Sequence, residues 1–495
     1  MTMKFPKQTI NQTIMKKDNH NEQGKKITRR GFLKVLGASS AVVAAGGLME
    51  ACNGGKTTEA ETSSQEPPKG QMTYRINHNT NDKVSILGFG MMRLPVVGGA
   101  LGASGREDPD APLDQEMINR QVDYALEHGV NYFDTSPAYC KGRSEEATGI
   151  ALARHKRSDY FIATKLSNFA PETWPEKESK AMFEQSLKYL QTDYVDYLLL
   201  HSVGGGDDCY QMFNQRYMDN GILDWLVEQK KKGRIRNLGF SFHGDQKIFD
   251  MLLKWMDEGK YHWDFVQIEM NYLDWEYAQQ INDMNVNAKY LYDELTKRNI
   301  PAVIMEPLLG GRLANLPDRI VEQMKRREPD RSVASWAFRF CATFPNVLTS
   351  LSGMTYMEHL KDNLLSHCPL KPLTDEELKF LADIAKQVYD LKNIPCTGCQ
   401  YCMPCPYGID IPSIFAHYNK CIKEGNLARN SKDEEYARMR RAFLIGYDRS
   451  VPKLRQALHC IGCNQCTPHC PQRIHIPEQM QMVNDYVEKL KQGTL

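Results

Sequence analysis

The chain has 495 residues, too many for one ordinary hydrophobic core, so two or three domains are expected. With 41% hydrophobic and 25% charged residues, it is neither a polytopic membrane protein nor a globally disordered chain. A formal net charge of +1 removes the electrostatic case for nucleic acid, an acidic partner or a strongly anionic membrane surface.

Residues 28–34 read Thr-Arg-Arg-Gly-Phe-Leu-Lys, followed by an apolar, small-residue stretch from Val35 to Met49 and then Ala51-Cys52. Basic, then apolar, then small before a cut site is the order of a signal peptide. The apolar run contains Gly37, Gly46 and Gly47 and falls short of the ~20 apolar residues of a membrane span. The paired arginines beside Phe-Leu-Lys resemble the twin-arginine signal, which exports proteins already folded. That resemblance implies a periplasmic location or the outer face of a membrane. Cys52 is placed for lipid attachment, as in bacterial lipoproteins, and hence for membrane attachment. The box Met49-Glu50-Ala51-Cys52 has Met for the usual Leu and Glu for a small residue, which leaves lipidation open. Residues 1–52 are read as the signal. Residues 53–72, rich in Gly, Thr, Ser, Glu and Pro, are read as a flexible tether.

From Met72 onward, short apolar runs alternate with amphipathic helical patterns. The runs are Val84–Gly88, Asn131–Asp134, Phe161–Lys165, Val195–His201, Asn237–Ser241, Phe265–Glu269, Ala302–Glu306 and Val347–Ser352. Helical patterns such as Met117–Glu127, Lys180–Leu190 and Gly221–Lys232 lie between them. Strands alternating with helices mean a parallel sheet. Eight such units, over residues 73–370, match an α/β fold of the (β/α)8 TIM-barrel type. An open doubly wound sheet usually has a Gly-rich phosphate turn after its first strand. Gly88-Phe89-Gly90-Met91-Met92 is not such a turn, so the barrel is preferred.

Chemistry in a barrel sits at the C-terminal ends of the strands. Asp134 ends the second predicted strand, with Tyr139 five residues on. Lys165 ends the third and His201 the fourth. These four make a proton-transfer site. A free phenol, with a pKa near ~10, is a poor acid or base at neutral pH. A neighbouring ammonium is expected to lower that pKa, a carboxylate to hold the ammonium in place, and an imidazole to orient a carbonyl oxygen. Any one of these residues alone reads as a loop cap, a core aromatic or a solvated charge; four on one barrel face are more specific.

Here the chain resembles the aldo-keto reductases. The matching segments are Val84–Pro95, Asn131–Tyr139 (Asn-Tyr-Phe-Asp-Thr-Ser-Pro-Ala-Tyr), Asp193–His201, Phe265-Val266-Gln267, Glu306-Pro307-Leu308 and Gly353 to Asn363. The family reduces carbonyls with NADPH, and the resemblance puts its catalytic Asp, Tyr, Lys and His on Asp134, Tyr139, Lys165 and His201. It implies NADP(H) contacts at Ser241 and Gln267 around the nicotinamide, Pro307 and Leu308 along the pyrophosphate, and Asn363 near the adenine. Two positions depart from the family. Phe242 stands where Asn commonly follows the serine, and Met305-Glu306 replaces an aromatic residue and Ser before Pro307.

Eight of the 14 cysteines form two motifs, Cys396-x2-Cys399-x2-Cys402-x2-Cys405-Pro406 and Cys460-x2-Cys463-x2-Cys466-x3-Cys470-Pro471. Three thiolates at two-residue spacing wrap one 4Fe–4S cluster, and the fourth, before proline, ligates the other cluster. By that rule one cluster takes Cys396, Cys399, Cys402 and Cys470; the other takes Cys460, Cys463, Cys466 and Cys405. The first motif is one residue short before its last cysteine. Zinc does not need two runs of four ending in Cys-Pro. Cysteines two residues apart are poor disulfide partners. Phe415–Glu424, Asp433–Ile445 and Lys453–Leu458 read as helices. Residues 392–495 therefore resemble the helical two-cluster ferredoxin of the succinate dehydrogenase iron–sulfur subunit. Leu373–Leu391, within residues 371–391, reads as a connecting helix. Cys140, Cys209, Cys341, Cys368 and Cys421 lack ligand spacing and read as incidental thiols.

The leading expectation is an exported oxidoreductase of aldo-keto reductase type. It acts on a small carbonyl or alcohol substrate and exchanges electrons with a donor or acceptor through two 4Fe–4S clusters. Two rivals stand beside it: an electron-transfer protein whose barrel is a non-catalytic scaffold, and a substrate-binding lipoprotein that has lost its cofactor. A complete acid–base set, for which a scaffold has no need, argues against the first rival, and bound nucleotide would separate the second from the enzyme.

Overall fold

The computed structural model of the protein describes residues 65–100, 108, 110–205 and 208–495. Arg29, Arg30 and Cys52 lie outside the described residues. The first elements, β1 (Tyr74–Ile76) and β2 (Lys83–Ser85), form an antiparallel hairpin with Tyr74 opposite Ser85. Eight parallel strands follow: β3 (Leu87–Gly90), β4 (Tyr132–Asp134), β5 (Phe161–Leu166), β6 (Val195–Val203), β7 (Ile235–Phe242), β8 (Phe265–Glu269), β9 (Ala302–Met305) and β10 (Val347–Ser352). They close in the order β10-β3-β4-β5-β6-β7-β8-β9, which is the expected barrel.

The first expected run, Val84–Gly88, is in fact two strands. Val84 pairs with Arg75 in the hairpin, whereas Leu87 pairs with Ser350 of β10. A continuous apolar run carries no mark of where the chain leaves the hairpin for the wall. The hairpin plugs the barrel floor. Val84 joins the interior cluster of Tyr132, Ala163, Tyr197, Leu199, Phe265 and Val303, and Asn77 Nδ2 donates to the Tyr197 hydroxyl at 3.0 Å. The sealed floor leaves the C-terminal ends of the strands as the open face. There β6 runs on past His201, with a register shift between Leu200 and Val203 and a positive φ of 54° at Ser202.

Helices cover the outside. The one at Gln115–Glu127 starts earlier than expected because Asp114 caps it, accepting from the Met117 amide at 2.9 Å. The connecting helix, Asp375–Tyr389, opens on a capping box between Thr374 and Glu377. Its Leu381, Ile384, Ala385 and Val388 pack into the barrel's own core.

The C-terminal region has helices at Ile411–Lys423, Tyr436–Ser450 and Ile476–Gln492 around a second core containing Ile414, Phe415, Phe443, Met480 and Val483. The helix expected at Lys453–Leu458 is instead two short 3-10 turns, Lys453–Arg455 and Ala457–His459. Gln456 between them is extended, and its amide bonds the Asp448 carboxylate at 2.9 Å and the Val451 carbonyl at 3.1 Å. Those tertiary bonds hold the backbone out of a helix.

Candidate functional site

Four expected residues meet at the open end of the barrel. Lys165 Nζ donates to Asp134 Oδ1 at 2.6 Å and to the Thr135 carbonyl at 2.9 Å. The ammonium lies 4.8 Å from the centre of the Tyr139 ring. The Tyr139 and His201 rings stand edge to face, 6.0 Å apart. Asp134, Lys165, His201 and Tyr139 are 2%, 1%, 3% and 8% exposed, so their charges are decided by neighbours rather than by water.

Several residues that sequence reasoning did not single out hold these four. Ser167 Oγ lies 2.6 Å and Ser136 Oγ 3.3 Å from His201 Nδ1, so Nε2 is the nitrogen left to meet a substrate. Arg216 Nη2 donates to the His201 carbonyl at 2.6 Å. Glu145 accepts from Thr164 Oγ at 2.5 Å. Phe169 leans on His201 with ring centres 4.8 Å apart. Ser167 and Phe169, just beyond a strand end, could have been suspected from position alone. Arg216 and Glu145, on helical segments, carried no such signal.

Burial dominates the electrostatics. It presses Lys165 down and Asp134 up, each opposed by the partner's charge. Burial, then the Lys165 and Arg216 charges, holds His201 well below its ordinary value, so the imidazole is neutral. The Tyr139 phenol moves against expectation: burial, then Asp134, Tyr401 and Glu306, push it well above its ordinary range. The ammonium over its ring does not lower it, because desolvation and nearby acids outweigh that one cation. Tyr139 is therefore a neutral hydroxyl that can hand over a proton. Glu145 is pushed up to about 7 by burial.

The residues expected around a nucleotide divide into two groups. Gln267 is buried, with Nε2 on Met305 Sδ at 3.4 Å and Oε1 lacking any partner, an orphaned acceptor that suits an amide N–H. Ser241 Oγ accepts from the Ser202 amide at 2.8 Å. Phe242 points into the outer core, its ring 5.1 Å from that of Phe249. At the phosphate end the turn's amide is already taken. The Gly310 amide, beyond Pro307 and Leu308, donates to the Glu306 carboxylate, so an acid occupies the place of an anion. Asn363 is buried with its amide on Ser352 Oγ at 2.9 Å.

In the C-terminal region, Cys396, Cys399, Cys402 and Cys470 line one pocket together with Ile411, Phe415, Ile474 and Ile476. Burial, then Cys399, Cys396 and Cys470, pushes the Cys402 thiol up. The Cys466 thiol is raised by burial and then by Cys460, Cys405 and Cys463. Cys470 of the second motif thus stands at one pocket with Cys396, Cys399 and Cys402 of the first. Among the described residues no three His, Cys, Asp or Glu side chains converge as on a single metal ion. Four thiols around a cavity, with an apolar wall, fit a cluster of several atoms. Of the other cysteines, Cys209, Cys341, Cys368 and Cys421 are buried. Cys140 is partly exposed, with Sγ 3.4 Å from the Met92 carbonyl oxygen.

This region sits on the barrel's open end, within one compact unit with it. Gln472 Nε2 donates to Glu269, the last residue of β8, at 2.6 Å. Asn282 Nδ2 donates to the Gln472 and Arg473 carbonyls at 2.9 and 2.8 Å. Tyr401, between ligands Cys399 and Cys402, packs on Phe169 at 6.2 Å between ring centres. Cysteine spacing hid this residue, since it fixes the ligands and says nothing of what lies between them.

The aldo/keto reductase family profile matches residues 87–386, and that of a 4Fe-4S dicluster domain matches residues 395–476. Among relatives, "Uncharacterized oxidoreductase YqkF" of Bacillus subtilis is 25% identical over 303 residues, covering 54% of this chain and 87% of its own. L-galactose dehydrogenase of Arabidopsis thaliana is 34% identical over 182 residues, 34% of this chain and 49% of its own. The chain thus spans most of the first relative's length and about half of the second's. A holo-form aldo-keto reductase from Bacillus halodurans aligns with a TM-score of 0.48 and 23% identity, over 63% of this chain and 96% of that one.

Anaerobically purified protein is expected to hold about eight irons and eight sulfides, from two clusters. Cys399→Ala and Cys470→Ala, though in different motifs, should abolish the same electron spin resonance signal and spare the other. Loss of different signals would disprove the shared cavity. The raised Tyr139 and lowered His201 also set a pH profile. The donor form of Tyr139 persists below its elevated pKa, and His201 is already neutral. The kcat/KM for reduction should therefore stay flat from neutral pH to about 10, the ordinary phenol value. An inflection near the ordinary imidazole value would show that His201 titrates as if in water.

Proposed function

The chain belongs to the aldo/keto reductase family, and from that premise we propose that it is an exported enzyme that interconverts a small carbonyl compound and its alcohol. An external one-electron carrier is the donor or acceptor. The buried Lys165–Asp134 pair beside Tyr139 carries the reading. Burying an ammonium and a carboxylate costs several kcal/mol each before their attraction is counted. A scaffold has no use for that arrangement at the open end of a barrel; a proton-transfer site does.

The alcohol and carbonyl differ by two electrons and two protons, and the residues of the barrel mouth account for the proton on oxygen. Tyr139 is the group for the oxygen-bound proton. His201 Nε2 orients the oxygen, and Lys165, fixed by Asp134 and the Thr135 carbonyl, stabilises negative charge on Tyr139 when the proton has left. Phe169 and Tyr401 exclude water from one side. Two 4Fe–4S clusters, held by the eight cysteines, would supply one-electron transfer. Export in the folded state, which the segment Thr28–Lys34 supports, lets the ligands leave the reducing cytoplasm already occupied.

Candidate alcohols and carbonyls added to anaerobic protein should change the visible absorption of the clusters. Tyr139→Phe should slow that change by ~10²–10⁴-fold, the usual worth of a general acid, with iron and sulfide content unchanged. Wild-type rates in Tyr139→Phe would reduce the four residues to a relic. For export, Arg29→Lys with Arg30→Lys should leave the protein in the cytoplasm on fractionation; an unchanged distribution would remove the twin-arginine reading.

A further inference from the structure

Two segments at the barrel mouth carry the expectation of a dinucleotide, and a third lies between them. Pro307 and Leu308 begin the turn through Gly310, and Gly353 begins the stretch to Asn363. Gly310 has a φ of 66°, and a Cβ built on it would lie 2.5 Å from the Thr397 carbonyl oxygen and 2.6 Å from Thr397 Cα. Backbone meets backbone there, with no flexible side chain to move aside. Arg93 Nη2 donates to the same Thr397 oxygen at 3.1 Å. The Arg93 stem covers Gly353, where a Cβ would meet it at 3.3 Å. Thr397 is 3% exposed, and it directly follows the ligand Cys396. One residue of the first cysteine loop therefore spans the gap between the Gly310 turn and, through Arg93, Gly353.

Charge at the turn is mixed. A phosphate-binding turn offers its amides to an anion, but the Gly310 amide is given to the Glu306 carboxylate. Arg312, on the same turn, faces Asp274, Cys396 and Glu306. Arg312 Nε and Nη1 are buried without a hydrogen-bond partner, but the turn's own amide is taken by Glu306 and the Thr397 carbonyl oxygen fills the space beside Gly310.

We propose that the first cysteine loop occupies the seat that a dinucleotide's phosphates require, so that the intact protein takes up neither NADPH nor NADP+. The orphaned Gln267 Oε1 is then what remains of the inner end of that site. Exclusion of the nucleotide stands apart from the redox reading above.

The test uses anaerobically purified protein with full iron and sulfide content. It is titrated with NADPH and with NADP+ by calorimetry and nucleotide fluorescence, with an ordinary single-domain family member as the positive control. A denatured sample is chromatographed for released nucleotide. The expected result is no released nucleotide and no saturable binding up to about 1 mM. Hydrogen exchange in the Gly310 turn should be slow and unaffected by NADPH. Micromolar binding, or nucleotide carried through purification in stoichiometric amount, overturns the proposal. Cluster bleaching by substrate tests the redox reading separately, so either can fail while the other stands.

Discussion

An ammonium with 1% of its surface open to water must have a carboxylate beside it, and Lys165 has Asp134 at 2.6 Å. That requirement fixes much of the barrel mouth. Asp134 pairs with Ala163 across β4 and β5, which brings Lys165, two residues further along β5, over the Asp134 side chain. The Tyr139 ring lies against the ammonium, so the loop after β4 must turn back sharply. Cys140 and Lys141 do so with φ of 50° and 55°, a left-handed backbone that non-glycine residues adopt at a cost. Thr135 adds its carbonyl to the ammonium, and its hydroxyl lies 2.8 Å from Ser144 Oγ at the start of the next helix.

Water exclusion then sets the protonation states. Desolvation is the first cause of the shift at each of the four residues. It favours neutral phenol and neutral imidazole, and it opposes charge on the ion pair. A substrate oxygen entering this site meets a proton donor in Tyr139 and an uncharged ring in His201. The lysine is the nearby positive charge, and it favours a negative oxygen as the proton moves.

The second constraint is the close backbone approach of Gly310 and Thr397. It joins the two domains at the catalytic end rather than through the connecting helix, which packs on the barrel. The same loop carries Cys396, Cys399 and Cys402, and Cys470 reaches their cavity from the second motif. Ligands from both motifs in one cavity tie the ends of the C-terminal domain together. Gln472, two residues past Cys470, ties that cavity to Glu269 of the barrel.

Local pattern alone determined the alternation of strands and helices, the two four-cysteine motifs, and the four polar residues at strand ends. Each depends on spacing along the chain: period and turn residues for the barrel, two-residue steps for the ligands. The split at Val84 and Leu87, the bulge after His201 and the broken turn at Gln456 were not legible. Each is set by a pairing that period and spacing do not mark: Arg75 and Ser350, Phe242, and Asp448. The upward shift of Tyr139 was also out of reach, since desolvation belongs to the packed site and not to any one residue. The placement of Tyr401 and Thr397 against the barrel came only from the tertiary structure. A motif specifies which atoms a ligand set presents inward, but the surface on which its loop rests depends on how two separately readable domains pack together.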